Sequence, residues 1–248
     1  MHLILTGATG MVGSGVLHNM ITNSNVTKVS VLSRRPVALA EGHEKVKVII
    51  HKDFTKYEPS LLEELIGAEG CVWALGISAT QVGKEEYENI TYTYALEAAK
   101  AFATIPPAPD RPFKFVYVSG EGSTPDPGLT TAYFGVIKGR AEAALLNLTK
   151  EHPTTFAAYS VRLGMPDPIA HDEIKNYIPK RSGMIGVMEK VVGPVVRNIA
   201  KSLVIPTREG GAALMKLAMG DGQPLEGSGV SGEGRTINNA RLRKLAGL

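Results

Sequence analysis

Six short apolar runs recur through the first two thirds of the chain, at 2–6, 28–33, 46–51, 71–76, 113–119 and 156–163. They are rich in Val, Ile, Leu, Phe or Tyr, and several are nearly continuous in apolar residues, as strands buried on both faces must be. Helix-compatible stretches at 11–23, 60–67, 84–103 and 131–151 lie between them. Repeated alternation of this kind, joined by right-handed crossovers, predicts an α/β fold: a doubly wound parallel sheet of the Rossmann type with helices on both faces. The 248 residues, 44% hydrophobic and 21% charged, are enough for one substantial core.

The first strand runs directly into Gly7, Gly10 and Gly13, with a helix behind them. That spacing suits a phosphate cradle. Gly7 permits a tight turn, Gly10 lets backbone approach a pyrophosphate, and Gly13 lets the helix pack closely. The helix N-terminus then offers N–H groups and a positive dipole end. Arg34 and Arg35 follow the second strand, where a ribose-facing carboxylate would favour NAD. Arginine suits a 2′-phosphate instead, so NADP(H) is expected over NAD(H); a solvated basic turn before Pro36 is the bland alternative. Asp53 and Phe54 follow the third strand, where the carboxylate can take an adenine amino group or cap the next turn. Ala74, Leu75 and Gly76 end the fourth, small enough for backbone to run beside the ribose and pyrophosphate.

Residues 1–164 thus read as a nucleotide-binding core, and 165–248 as a C-terminal substrate or lid region packed on it. Within the latter, 165–183 reads as loop and 184–203 as kinked helices around Pro194, or as a lid or membrane-touching surface. A helix over 207–219, capped by Thr207, precedes a mobile glycine-rich stretch at 221–234 and a short strand and turn from Arg235. Net charge of +3 without a dense basic stripe argues against nucleic acid. No apolar run is long enough to span a bilayer, and a strand starting at residue 2 or 3 leaves no room for a targeting peptide. The single Cys71, in an apolar strand, reads as a packing residue and suits a reducing, cytoplasmic setting. The six histidines form no metal pattern along the chain, so no metal is expected.

Taken together, Thr6-Gly7-Ala8-Thr9-Gly10-Met11-Val12-Gly13, the arginine pair, Asn89-Ile90-Thr91, Val116-Tyr117-Val118-Ser119-Gly120 and Lys138-Gly139-Arg140-Ala141-Glu142 stand in a familiar order. Over residues 1–165 the chain resembles the short-chain dehydrogenase/reductase superfamily on its extended or atypical side. More narrowly, it is similar to the nucleoside-diphosphate-sugar-epimerase-like proteins related to the Tat-interacting tumour suppressor. The helix from Thr207-Arg208-Glu209 and the tail Thr236-Ile237-Asn238-Asn239 match that group's C-terminal pieces. The resemblance adds Thr9, Met11 and Val12 to the cofactor loop, and implies backbone contacts from Leu163 or Met165 near the nicotinamide. Arg162 reads as holding the end of strand six. The resemblance also implies an oxidoreductase or epimerase-like enzyme on a small carbonyl or hydroxyl substrate; the superfamily often pairs the helices at 84–103 and 131–151 into homodimers, but their apolar faces here serve the sheet equally well. A protein partner is the alternative.

The family's chemistry uses a tyrosine as acid–base, a lysine four residues later that lowers the tyrosine's pKa and holds the ribose, and a hydroxyl after strand five. Here Lys138 is present, but Phe134 stands four residues before it and Tyr133 five. Four helical residues bring side chains within about 40° of each other, whereas five leave them about 140° apart. Only a late helix start would let Tyr133 share a face with Lys138. The usual hydroxyl position is Gly120, with Ser119 before it and Ser123 after. Tyr133, Lys138 and Ser119 are therefore the catalytic candidates. The rival reading is a non-catalytic NADP(H)-binding regulatory or partner-binding protein.

Overall fold

A computed structural model describes residues 1–106, 111–179 and 201–248. The apolar part of the 184–203 segment, with its lid or membrane reading, falls outside the described residues up to position 200. Ten strands are present among the described residues: β1 His2–Thr6, β2 Lys28–Ser33, β3 Val46–Ile50, β4 Ala68–Trp73, β5 Phe113–Gly120, β6 Phe156–Leu163, β7 Met165–Asp167, β8 Val204–Pro206, β9 Val230–Ser231 and β10 Thr236–Ile237. Seven α-helices accompany them: α1 Met11–Thr22, α2 Pro59–Leu65, α3 Lys84–Glu88, α4 Tyr94–Ala103, α5 Tyr133–Glu151, α6 Thr207–Met219 and α7 Asn239–Leu245.

Eight strands form one sheet in the order β3-β2-β1-β4-β5-β6-β10-β9. All neighbours are parallel except β9 against β10. This is the expected doubly wound sheet, and its order reverses between β1 and β4, where a crevice opens at the carboxyl ends of the strands. Alternation within the strands divides the core. Leu3, Leu5, Val29 and Val31 face α1 and α6, whereas Ile4, Trp73, Phe115 and Phe156 belong to the opposite layer. Both faces are covered, which is why the strands read as continuous apolar runs. The second layer holds an aromatic cluster, with Trp73 stacked on Phe115 at 5.8 Å.

Several boundaries differ from expectation. β4 starts at Ala68, immediately after Gly67 turns the chain with φ +81°, so Ala74-Leu75-Gly76 lie beyond the strand end. The 84–103 helix is interrupted by a π-helical turn at Asn89–Thr93, whose wider spiral places the Thr91 carbonyl to accept from the Tyr117 hydroxyl at 3.2 Å. The 165–183 loop contains β7, which pairs with β8. Thr207 does not cap its helix. It is the first helical residue, and its hydroxyl meets His171 Nδ1 at 3.0 Å instead. The glycine-rich 221–234 stretch contains β9 and is tied down by hydrogen bonds: the Leu225 N–H donates to the Gly234 carbonyl, Tyr159 to the Gln223 carbonyl, and Arg235 to the Gly222 carbonyl. The tail is a strand followed by α7, because the Asn238 side chain accepts from the Arg241 N–H and starts a helix there.

His2 links β1 to β2, its Nε2 lying 2.8 Å from Ser30 Oγ. Burial, aided by nearby Lys28, lowers its pKa from 6.5 to about 4. The unfolded chain takes up this proton at higher pH than the folded one, so its contribution to stability is lost as pH falls from 6.5 towards 4. The melting temperature is expected to drop across that window, and to drop less in His2→Gln, measured by thermal unfolding at pH 7, 5.5 and 4.5.

Candidate active site

The turn after β1 is built from backbone that leaves no space for side chains. Gly7 has φ +69°, and a Cβ there would lie 2.3 Å from the Ala74 carbonyl oxygen. A Cβ on Gly13 would lie 2.1 Å from the Gly7 carbonyl oxygen. The Gly10 N–H donates to the Gly7 carbonyl at 2.9 Å and closes the turn. α1 then begins with Gly10 as its N-cap, with no capping side chain and no acidic residue in its first turn. The positive end of the helix is presented without a competing internal anion.

Above this turn lies a cleft of about 680 Å³, a size that suits ligand sites. Of the expected residues, Gly10, Met11, Val12, Ala74, Leu75, Gly76, Ser119, Lys138 and Leu163 line it. Gly7 and Gly13 support the wall from below, Thr9 lies in the same turn off the wall, and Met165 begins β7 beside it. The wall also includes Ile77, Ser78, Gln81, Val118, Gly164, Pro166 and Pro179. No motif marks the loop at 77–81; it reaches the cleft because it leaves β4 at the reversal point of the sheet.

Arg34 and Arg35 are exposed at the end of β2, outside the cleft wall, and neither forms an ion pair among the described residues. Asp53 is occupied locally. Its Oδ1 accepts from both the N–H and the hydroxyl of Thr55, which lowers its pKa. The Phe54 side chain is fully buried against Trp73, so only its backbone could meet an adenine.

At the cleft floor, α5, β5 and β6 converge on one charged cluster. Lys138 donates from Nζ to the Val118 carbonyl at 3.2 Å, and lies 5.9 Å from the centre of the Tyr117 ring. Burial lowers its pKa to about 8, while the Glu142 carboxylate, one turn along α5, acts the other way. Glu142 is 3% exposed and receives two charged partners' worth of bonding from Arg162: Nε to both carboxylate oxygens at 3.1 Å and Nη2 to Oε2 at 2.7 Å. Ser119 donates its hydroxyl to Glu142 Oε1 at 2.6 Å. The Ser119 oxygen is thus oriented with its proton turned inward. Glu142 was legible as part of a motif but carried no role. The cue was its i+4 spacing from Lys138, which puts both on one helix face.

Tyr133 does not join this cluster. α5 begins at Tyr133 itself, so no late start brings it round towards Lys138. Its hydroxyl donates to the Lys84 carbonyl at 3.0 Å, its ring packs beside Tyr87, and it does not line the cleft. The expected acid–base role for Tyr133 is therefore not supported by its position. Phe134, at the family's tyrosine position, lies against Gly122.

No protein-family profile matches the chain. It is 33% identical over 261 aligned positions to leucinostatins biosynthesis cluster protein T of Purpureocillium lilacinum, covering 98% of this chain and 94% of that protein. It is also 36% identical over 157 positions to botcinic acid biosynthesis cluster B protein 16 of Botryotinia fuckeliana, covering 62% of this chain and 99% of that one. The fold matches the enzyme WbmF of Bordetella bronchiseptica, solved in complex with NAD+, with a TM-score of 0.64 and 15% identity over 98% of this chain and 76% of WbmF. A short chain dehydrogenase/reductase of Saccharomyces cerevisiae matches with a TM-score of 0.64 and 16% identity, covering 98% of each chain. The near full-length relationship means that the chain belongs to the same family as protein T, and its fold is the one shared by WbmF and the yeast short chain dehydrogenase/reductase.

Proposed function

We propose that the protein is an NADP(H)-dependent oxidoreductase acting on a small carbonyl or hydroxyl substrate. The observation that carries this reading is the placement of Lys138 and Ser119 in the same cleft as the Gly10–Val12 turn. The turn fits a pyrophosphate: its helix end is uncapped, and its inner glycines are packed too tightly for any side chain. Gly10, Met11 and Val12 would hold the phosphates, Arg34 and Arg35 the 2′-phosphate, and Lys138 the nicotinamide ribose. A bound nicotinamide would supply the hydride. Lys138 keeps two further ammonium protons beyond the one given to Val118. Ser119, its own proton held by Glu142, accepts from a substrate hydroxyl. Residues 165–248 supply part of the substrate wall through Pro166 and Pro179.

The biosynthesis-cluster names of two relatives direct the substrate search to carbonyls and alcohols of biosynthetic intermediates. Among the described residues no helix is long and apolar enough to cross a membrane. A cytoplasmic location goes with the single, buried Cys71. The second reading, an NADP(H)-binding regulatory or partner-binding protein, monomeric or dimeric, is favoured by the engagement of Tyr133 with Lys84.

Paired titration with NADPH and NADH tests the reading. Binding of NADPH in the low micromolar range is expected, with NADH weaker by roughly tenfold or more. Replacing both Arg34 and Arg35 by alanine should weaken NADPH about 10- to 100-fold, the loss of charge-assisted contacts, and leave NADH within about twofold. Binding of neither nucleotide overturns the proposal. NADPH binding without turnover across a carbonyl panel selects the second reading.

A further inference from the structure

We propose that His18, His171 and Glu173 bind a divalent transition-metal ion of the zinc class, independently of the nucleotide cleft. His18 lies on α1 and His171 in the turn after β7, 153 positions later, with Glu173 on the short 3-10 turn Asp172–Ile174. Their separation along the chain is why spacing alone shows no metal pattern. The fold brings His18 Nδ1 and His171 Nε2 to 2.9 Å, and these two nitrogens and a Glu173 carboxylate oxygen all lie within 4.8 Å of one another.

Two imidazoles and a carboxylate are the donor set of open tetrahedral zinc sites, which leave the fourth position to water. Bonds of about 2.0–2.2 Å put ligand atoms roughly 3.3–3.5 Å apart. The imidazoles need part by only about 0.4 Å, and the carboxylate has to swing in by roughly 1.3 Å. Glu173 is exposed and lies on a surface turn, so it can make that movement.

The surroundings prepare the ring that cannot move. His171 is 1% exposed, and its Nδ1 lies 3.0 Å from the Thr207 hydroxyl. A proton on Nδ1 shared with that hydroxyl turns the Nε2 lone pair towards His18, the outer contact that orients metal-bound histidines. Coordination then needs a tautomer shift at His18, not the loss of a proton. Arg208 holds Oε2 of Glu173. Its positive charge limits affinity to well below that of a closed structural site. The bound ion would join α1 to the segment that carries Pro166 and Pro179, and so fix one wall of the cleft.

The test uses tag-free full-length protein stripped with a chelator, titrated calorimetrically with Zn2+ and spectroscopically with Co2+. One equivalent of Zn2+ with micromolar affinity is expected, together with visible Co2+ absorption bands of a low-symmetry site. Saturating Zn2+ should raise the melting temperature by roughly 5 °C. His18→Gln should weaken binding at least about 30-fold and Glu173→Gln about tenfold. Absence of stoichiometric uptake by the wild-type protein overturns the proposal, as does wild-type affinity in both variants, which would place the ion elsewhere. Metal-free melting shows whether His18→Gln is folded. If it is not, Glu173→Gln decides, because its exposed carboxylate contributes little to the fold.

Discussion

Alanine at position 13 is expected to abolish NADPH binding and to lower the melting temperature by roughly 6–10 °C. The added Cβ would stand 2.1 Å from the Gly7 carbonyl oxygen, 2.5 Å from its carbon and 3.0 Å from the Ala8 nitrogen. Every one of these atoms is backbone, so no flexible side chain can move aside. Gly7 cannot retreat either, since its own α-carbon is packed against the Ala74 peptide beside the end of β4. The helix must therefore lift off the turn. Overpacking of this kind costs about 1–3 kcal/mol, and its upper end fits a clash with backbone on both sides. Gly10→Ala is the informative comparison. Its Cβ would meet only the Gly7 oxygen, at 3.3 Å, so the fold should survive while nucleotide affinity falls. Thermal unfolding and NADPH titration on the two variants separate packing from ligand approach. Wild-type NADPH affinity in Gly13→Ala would show that the turn is not the phosphate cradle.

The second large effect is expected at Glu142. In Glu142→Leu the Arg162 guanidinium loses its carboxylate while remaining largely buried, at 21% side-chain exposure. Removing one partner of a buried pair costs about 3–5 kcal/mol, and the partial exposure of Arg162 argues for the lower end. Ser119 loses its carboxylate acceptor and keeps only the Ser123 hydroxyl at 3.1 Å, and Lys138 loses the negative charge that opposes its desolvation. The ammonium should then titrate below its present value of about 8. The double variant Glu142→Leu/Arg162→Met should recover most of the stability, because neither charge is left stranded. Urea unfolding of both single variants and the double completes the cycle. A double variant no more stable than Glu142→Leu would mean that the loss came from packing and not from the uncompensated charge.

The sheet was legible because its signal is local and repeated. Continuous apolar runs such as Phe115–Val118 require burial on both faces, and a glycine turn at a strand end requires a close helix. The cofactor side of the cleft was legible for the same reason, since Gly10 to Val12 and Ala74 to Gly76 are backbone features at strand ends. Helical geometry also anticipated that Tyr133 would diverge from Lys138. What could not be read were pairings between distant side chains. Arg162 on β6 reaches Glu142 on α5, and His171 reaches His18 across 153 positions. The helix in the tail carries no strong sequence signal because its start depends on one capping bond, accepted by Asn238 from the Arg241 N–H. Glycine content at 221–234 says nothing about where its carbonyls find donors, here Tyr159 and Arg235.

The position of β10 has a kinetic consequence. Residues Thr236–Ile237 pair in parallel with Ser160–Val161, so β6 acquires its outer neighbour from a segment made much later. Until that segment emerges during synthesis, β6 presents an apolar strand edge with unpaired backbone, the kind that recruits other chains. The Asn239 amide also closes on Glu121 and its side chain on Gly164, so the same late segment completes the junction beside the cleft. Pairing of Thr236–Ile237 with β6 thus competes with intermolecular pairing at the same edge, and slow translation between β6 and β10 would favour aggregation.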